Sequence, residues 1–174
     1  MKHTLMTAAL SLALSAGVAQ AHATLETPEA PVESNYKAVM RIGHGCSGEA
    51  TLRLRITIPE GVINAKPMPK AGWKLETVTG PYARTYEYHG PRSEGVKEII
   101  WTGKLENEHY DEFIFRARIT DAFEPGQIIY FPTVQECATG ENAWTEIPAE
   151  GQTRRDLKRP APGLTVLGKA EHSH

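Results

Sequence analysis

The residues in this chain best suited to chemistry are His22, His44, Cys46, Cys137 and Trp144. His22 directly follows Met1–Ala21, which reads as a secretory signal peptide. Lys2 supplies the positive start, Leu5–Val18 the apolar run, and Ala19-Gln20-Ala21 the small-residue cleavage site. Cleavage after Ala21 makes His22 the first residue, with a free α-amine and an imidazole on one residue. Both nitrogen groups can then close on one metal ion. Imidazole nitrogen suits Cu, Zn, Ni and Fe, and Cu(II) binds most tightly in the Irving–Williams order. The alternative is that His22 merely happens to follow the cleavage point.

His44 and Cys46 lie in Arg41-Ile42-Gly43-His44-Gly45-Cys46-Ser47-Gly48, where three glycines take the backbone out of a regular strand. In an extended chain the two side chains share one face. His44 is either a ligand held beside a covalent anchor or a loop histidine packed on it. Two cysteines in an exported chain point to a disulfide, Cys46–Cys137, closing a loop of about 90 residues. The competing reading, a pair of metal thiolates, lacks a CxxC spacing. A bridge would carry the segment containing Trp144 to His44. Trp144 would then cover a metal site or, like Trp73 and Trp101, simply pack in a core.

His89 and His109 adjoin turn signals and read as surface residues. Asp111 and Glu112, in the charged run Glu106–Glu112, are possible oxygen ligands with nothing to fix their position. His172 and His174 end a polar tail that could hold metal weakly. GxSxG, HExxH and phosphate-cradling glycine loops are absent, so no enzyme class is indicated.

The elements that must position these residues are strands. Thr51–Ile58 alternates Leu52, Leu54, Ile56 and Ile58 against Arg53, Arg55 and Thr57, and Phe113–Ile119 alternates in the same way. Lys37–Ile42, Trp73–Val78, Tyr82–Tyr88, Val96–Thr102, Gln127–Phe131 and Ala143–Ile147 are further strands. Turn signals at Pro59-Glu60-Gly61, Gly80-Pro81, Gly90-Pro91 and Glu124-Pro125-Gly126 separate them. No long amphipathic helix is present. The expected fold is all-β: an antiparallel β-sandwich of the immunoglobulin type with a flexible C-terminal tail. The expected division is a signal peptide at 1–21, one sandwich domain at 22–150, and a polar, proline-containing tail at 151–174.

Processing leaves 18 basic and 21 acidic residues, a net charge of −3. No basic cluster stands out along the chain, so a nucleic-acid partner is not expected. Beyond the signal, no stretch reaches the ~20 apolar residues of a membrane span. The expected product is an exported, periplasmic protein that does not span the membrane.

Several segments together resemble the YcnI-like family of exported bacterial copper-binding proteins. They are His22-Ala-Thr-Leu25, Gly43-His-Gly-Cys-Ser-Gly48 with Thr51, Ile58-Pro-Glu-Gly61, and Lys66-Pro-Met-Pro-Lys70 with Gly72-Trp73. Trp101-Thr-Gly103, Asp111-Glu-Phe113, Phe131-Pro-Thr-Val-Gln135, Cys137 and Trp144-Thr-Glu-Ile-Pro148 complete the set. The resemblance implies a β-sandwich with a Cu(II) site of the histidine-brace type at the processed N-terminus. His22 matches the N-terminal ligand and Trp144 the tryptophan beside it. Where family members place a glutamate ligand, this chain has His44, which implies a brace of two histidines; Glu49 and Glu26 are the carboxylate alternatives. The implied role is a copper carrier or chaperone, with no catalysis, that serves another periplasmic copper chaperone or a membrane copper transporter. The rival is a copper-dependent oxidative enzyme of the histidine-brace type. Such enzymes need a flat aromatic binding surface, and aromatics make up only 7% of this chain.

Overall fold

The computed structural model describes residues 22–170. The expected signal segment, His172 and His174 lie outside the described residues. Twelve strands form in chain order: β1 (Thr24–Leu25), β2 (Glu29–Pro31), β3 (Ser34–Ile42), β4 (Thr51–Thr57), β5 (Val62–Pro67), β6 (Lys74–Glu87), β7 (Pro91–Leu105), β8 (Asp111–Ile119), β9 (Ile128–Tyr130), β10 (Thr133–Glu136), β11 (Glu141–Trp144) and β12 (Gly163–Leu167). They build a four-stranded sheet β1-β3-β8-β5, a five-stranded sheet β11-β10-β4-β7-β6 and a small sheet β2-β12-β9. Among the described residues the helical content is one 3-10 turn, Arg154–Asp156.

The two large sheets face each other through period-two side chains. Tyr36, Ala38, Met40 and Ile42 of β3 and Phe113, Phe115, Ala117 and Ile119 of β8 point inward, against Leu54 and Ile56 of β4 and Ile99 and Trp101 of β7. Phe113 sits at the centre. Trp73 meets it edge-on at 4.9 Å and Trp101 at 5.5 Å between ring centroids, the geometry aromatic quadrupoles favour. Burying each such ring contributes about 1.5–3 kcal/mol relative to exposure.

The antiparallel sandwich is as expected, but four details differ. First, the pairing of β4 with β7 shifts between Thr51 and Arg53. This bulge turns Thr51 inward and leaves Leu52 37% exposed, so the inward set is Thr51, Leu54, Ile56 and Ile58. Second, Gly80-Pro81 is no turn. The segments Trp73–Val78 and Tyr82–Tyr88 fuse into the long edge strand β6, where a proline can sit at a register irregularity without breaking an inner ladder. Third, the strand expected at Ala143–Ile147 runs over Glu141–Trp144; beyond it Glu146 makes only an isolated bridge to Pro160, and Ile147 is exposed. Fourth, residues 151–170 are not a loose tail. β12 pairs parallel to β2 and antiparallel to β9, and it buries Leu164 and Val166 in the main core. Two alternating apolar positions, Leu164 and Val166, after a proline-containing link suffice for a strand, since β2 and β9 offer open edges.

Cys46 and Cys137 form the expected disulfide, with Cα atoms 6.0 Å apart and a sequence separation of 91. Free-thiol titration of the unfolded, unreduced protein should find no thiols. Replacing both cysteines with alanine should cost on the order of 4–5 kcal/mol in denaturant unfolding, the loop-entropy value for such a long closed loop. A loss below about 1 kcal/mol would mean that the bridge does not constrain the unfolded chain.

Candidate metal centre

The candidate site lies at one end of the sandwich, where β3 and β10 end and β1 and β11 begin. β1 pairs with β3 through Thr24↔Arg41 and Leu25↔Met40. Continuing that antiparallel register by two residues sets His22 level with Gly43, next to His44. Beyond β3 the chain makes a two-residue reversal. Cys46 and Glu49 exchange backbone hydrogen bonds of 3.1 and 3.0 Å, and Ser47 and Gly48 both have positive φ, as the primed hairpin turns require. Gly45 has no room for a side chain, because a Cβ there would lie 1.6 Å from the Glu49 carbonyl oxygen.

Trp144 comes from the opposite sheet, paired to Thr133 on β10. Its indole meets the His22 imidazole edge to face, with centroids 5.3 Å apart and planes at 82°. His22 Nε2 is buried and has no hydrogen-bond partner among the described residues. Such a nitrogen costs free energy unless something beyond the protein's own atoms meets it. The His44 ring is oriented differently. Its Nδ1 contacts the Gly45 carbonyl oxygen, which can only accept, so Nδ1 carries the proton and Nε2 keeps a free lone pair. A backbone carbonyl holding the far N–H is the usual support of a metal-binding imidazole.

The carboxylates near this end are taken by other partners. Glu49 accepts from the Thr139 amide at 2.9 Å and the Thr139 hydroxyl at 2.7 Å. These bonds, the hydroxyl's first, hold its carboxyl below the usual range. Glu26 pairs with Arg41 at 2.7 Å, Asp111 with Lys70 at 2.6 Å, and Glu112 accepts from the Tyr110 hydroxyl. Among the described residues no three His, Cys, Asp or Glu side chains converge. His89 and His109 are exposed; His89 sits in the tip of the β6–β7 hairpin, whereas His109 lies in the loop between β7 and β8, two residues before Asp111, the partner of Ile42 at this end. The partly buried imidazoles at this end are His22 and His44, joined by an amine once the chain begins at His22.

Gln135 was not anticipated from sequence. It is 1% exposed, and its side-chain amide donates to the His44 carbonyl and, at 2.6 Å, to Thr51 Oγ1. Its Oε1 accepts from Trp144 Nε1 at 3.3 Å. One side chain thus ties the backbone of His44 to the indole that touches His22. The signal was parity: Phe131, Thr133 and Gln135 share one face, and all three are buried. Gln135→Ala leaves the Thr51 hydroxyl and the Trp144 N–H buried without partners. It should destabilise the protein by about 2–4 kcal/mol and shift Trp144 fluorescence. Unchanged unfolding midpoint and emission would remove Gln135 from this role.

A family profile described as "Domain of unknown function (DUF1775)" matches residues 22–166. No curated protein matches the chain. A crystal structure of an uncharacterized protein from Nocardia farcinica, described as having an immunoglobulin-like fold, is similar with a TM-score of 0.61 and 21% identity. The match covers 84% of this chain and 98% of that one. The chain belongs to the DUF1775 family, and its sandwich is immunoglobulin-like.

Proposed function

We propose that this chain is an exported, periplasmic Cu(II)-binding protein whose site is created when the signal segment is removed. The donors are the His22 α-amine, the His22 ring and His44 Nε2, with Trp144 as a wall beside them. The observation that carries the reading is the unpartnered, buried ring nitrogen of His22 against Trp144, one residue in register from His44. A half-turn of the His22 ring about its Cβ–Cγ bond carries Nδ1 to the position of Cδ2 and Nε2 to that of Cε1, and Nδ1 is the nitrogen that closes a chelate with the α-amine. In the uncleaved chain the His22 nitrogen is a peptide amide and cannot serve. The likeness of the quoted segments to YcnI-like proteins supports copper as the metal, as does the preference of nitrogen donors for Cu(II). The role we assign is carriage of copper to another periplasmic chaperone or a membrane transporter.

Mass spectrometry of the exported protein should report His22 as the first residue and one copper per chain. A residue inserted between Ala21 and His22 moves the amine off the imidazole and should abolish tight Cu(II) binding. Undiminished affinity in that variant would exclude the chelate. His44→Ala should change the nitrogen couplings in the Cu(II) electron paramagnetic resonance spectrum. Trp144→Phe should keep the couplings and weaken binding by about 10–100-fold, as losses around the ligands do. Wild-type couplings in His44→Ala would return the position to a carboxylate such as Glu49 or Glu26. Protons compete for every donor, so affinity should fall as the pH is lowered. Oxidation of a polysaccharide panel with a reductant present would move the assignment to a copper-dependent enzyme.

A further inference from the structure

The opposite end of the sandwich carries a feature that the copper reading does not use. Lys37 of β3, Arg116 of β8 and Lys66 of β5 are direct cross-strand neighbours, forming a row of three cations on the outer face of the four-stranded sheet. Like charges set directly opposite each other across strands repel. None of the three has a carboxylate partner among the described residues, and neither does Arg92.

The long β6–β7 hairpin arches over this face. Its tip is pinned by Tyr88, whose hydroxyl donates to Asn35 Oδ1 at 3.0 Å and whose ring lies 5.1 Å from the Arg118 guanidinium. Arg92, just beyond the tip, is steered by its Nε–H bond to the Tyr88 carbonyl at 3.3 Å. A cleft of about 240 Å³ remains between hairpin and sheet, lined by Lys66, Arg92 and Arg116 with the amides of Asn35 and Asn64. The lining contains no carboxylate. Glu94 lines the adjoining depression, which shares Asn64, Lys66 and Arg92 with the cleft, and the charge of Arg118 acts on Glu33. Because Asn35 Oδ1 is occupied by Tyr88, the donor side of that amide is left for a ligand. Asn64 is held at φ 51 in the bulge of β5, and His89 at φ 51 in the hairpin tip. Such backbone gathers at ligand clamps as well as at turns.

We propose that this cleft binds a phosphate group. Three cations without an ion-paired carboxylate among the described residues suit a dianion better than a single carboxylate. Two guanidinium forks and two amide donors match phosphate oxygens in number and geometry. The site is separate from the metal centre, since Asn35 and Ile42 lie about 23 Å apart along β3 at the usual rise per residue. It therefore stands or falls independently of the copper reading.

The test uses the mature protein. Inorganic phosphate at millimolar concentration should raise the unfolding temperature saturably and broaden the phosphorus NMR line, while chloride at matched ionic strength does neither. Arg116→Gln and Arg92→Gln should each weaken the effect roughly tenfold or more, the weight of a charge-assisted hydrogen bond. Lys74→Gln, an exposed cation paired with Glu76 on the other sheet, should leave it unchanged. A parallel arm measures flotation with phosphatidylglycerol and phosphatidylcholine vesicles. Response to free phosphate assigns a soluble ligand. Binding to phosphatidylglycerol vesicles alone, lost in Arg116→Gln, assigns a lipid headgroup to the same cleft. No response in either arm, or a response undiminished in both arginine variants, overturns the proposal. Wild-type unfolding by denaturant in the two variants separates lost binding from lost folding.

Discussion

A single buried amide holds one end of this sandwich together. Gln135 has a donor side and an acceptor side, and both are used: the His44 carbonyl and the Thr51 hydroxyl on one, the Trp144 indole on the other. A polar side chain buried this completely is tolerated only because its hydrogen bonds are made. The consequence is geometric. The loop after β3 and the indole on β11 belong to different sheets, and Gln135 sets their separation. The Cys46–Cys137 bridge fixes the same two segments covalently. The imidazole of His22 thus meets a wall whose position is determined twice.

The two ends of the molecule differ in chemistry because the outer face of the four-stranded sheet changes along its length. At the His22 end, Arg41 is matched by Glu26 and Glu112, and Lys70 by Asp111. These exposed pairs are worth little individually, but they neutralise charge around the imidazoles and leave nitrogen as the available donor. Toward the other end the same strands present Lys37, Arg116 and Lys66 unmatched, under a hairpin that carries Arg92. A chain with small net charge thus pairs its charges at one end and leaves a basic row unpaired toward the other.

The length of the β6–β7 hairpin is what makes the second end a cleft. Its edge position leaves β6 free to bend past Pro81. Tyr82 and Tyr86 then pack on Ile63 of the facing sheet, and Tyr86 donates to Glu60 at 2.8 Å. Gly95 is required there, since a Cβ would lie 1.8 Å from the Tyr82 hydroxyl oxygen. This small second core has apolar side and polar rim, and it fixes the tip that covers the basic row.

What the sequence determined by itself was local. Period-two alternation placed β8 and most of β3, because each strand's own side chains report its two faces. The small-residue cleavage motif singled out His22, and two cysteines in an exported-type chain paired without competition. Alternation fails where a bulge shifts the phase, so it points Leu52 inward and gives no signal for β5, which is interrupted at Asn64. The sequence of β12 has the look of a tail because its pairing partners lie far away in the chain. Three things were decided only by the tertiary structure: the contact of His22 with Trp144, the three bonds of Gln135, and the cation row. Each joins residues on different strands, and register between distant strands is set by packing of the whole core rather than by any pattern within one segment.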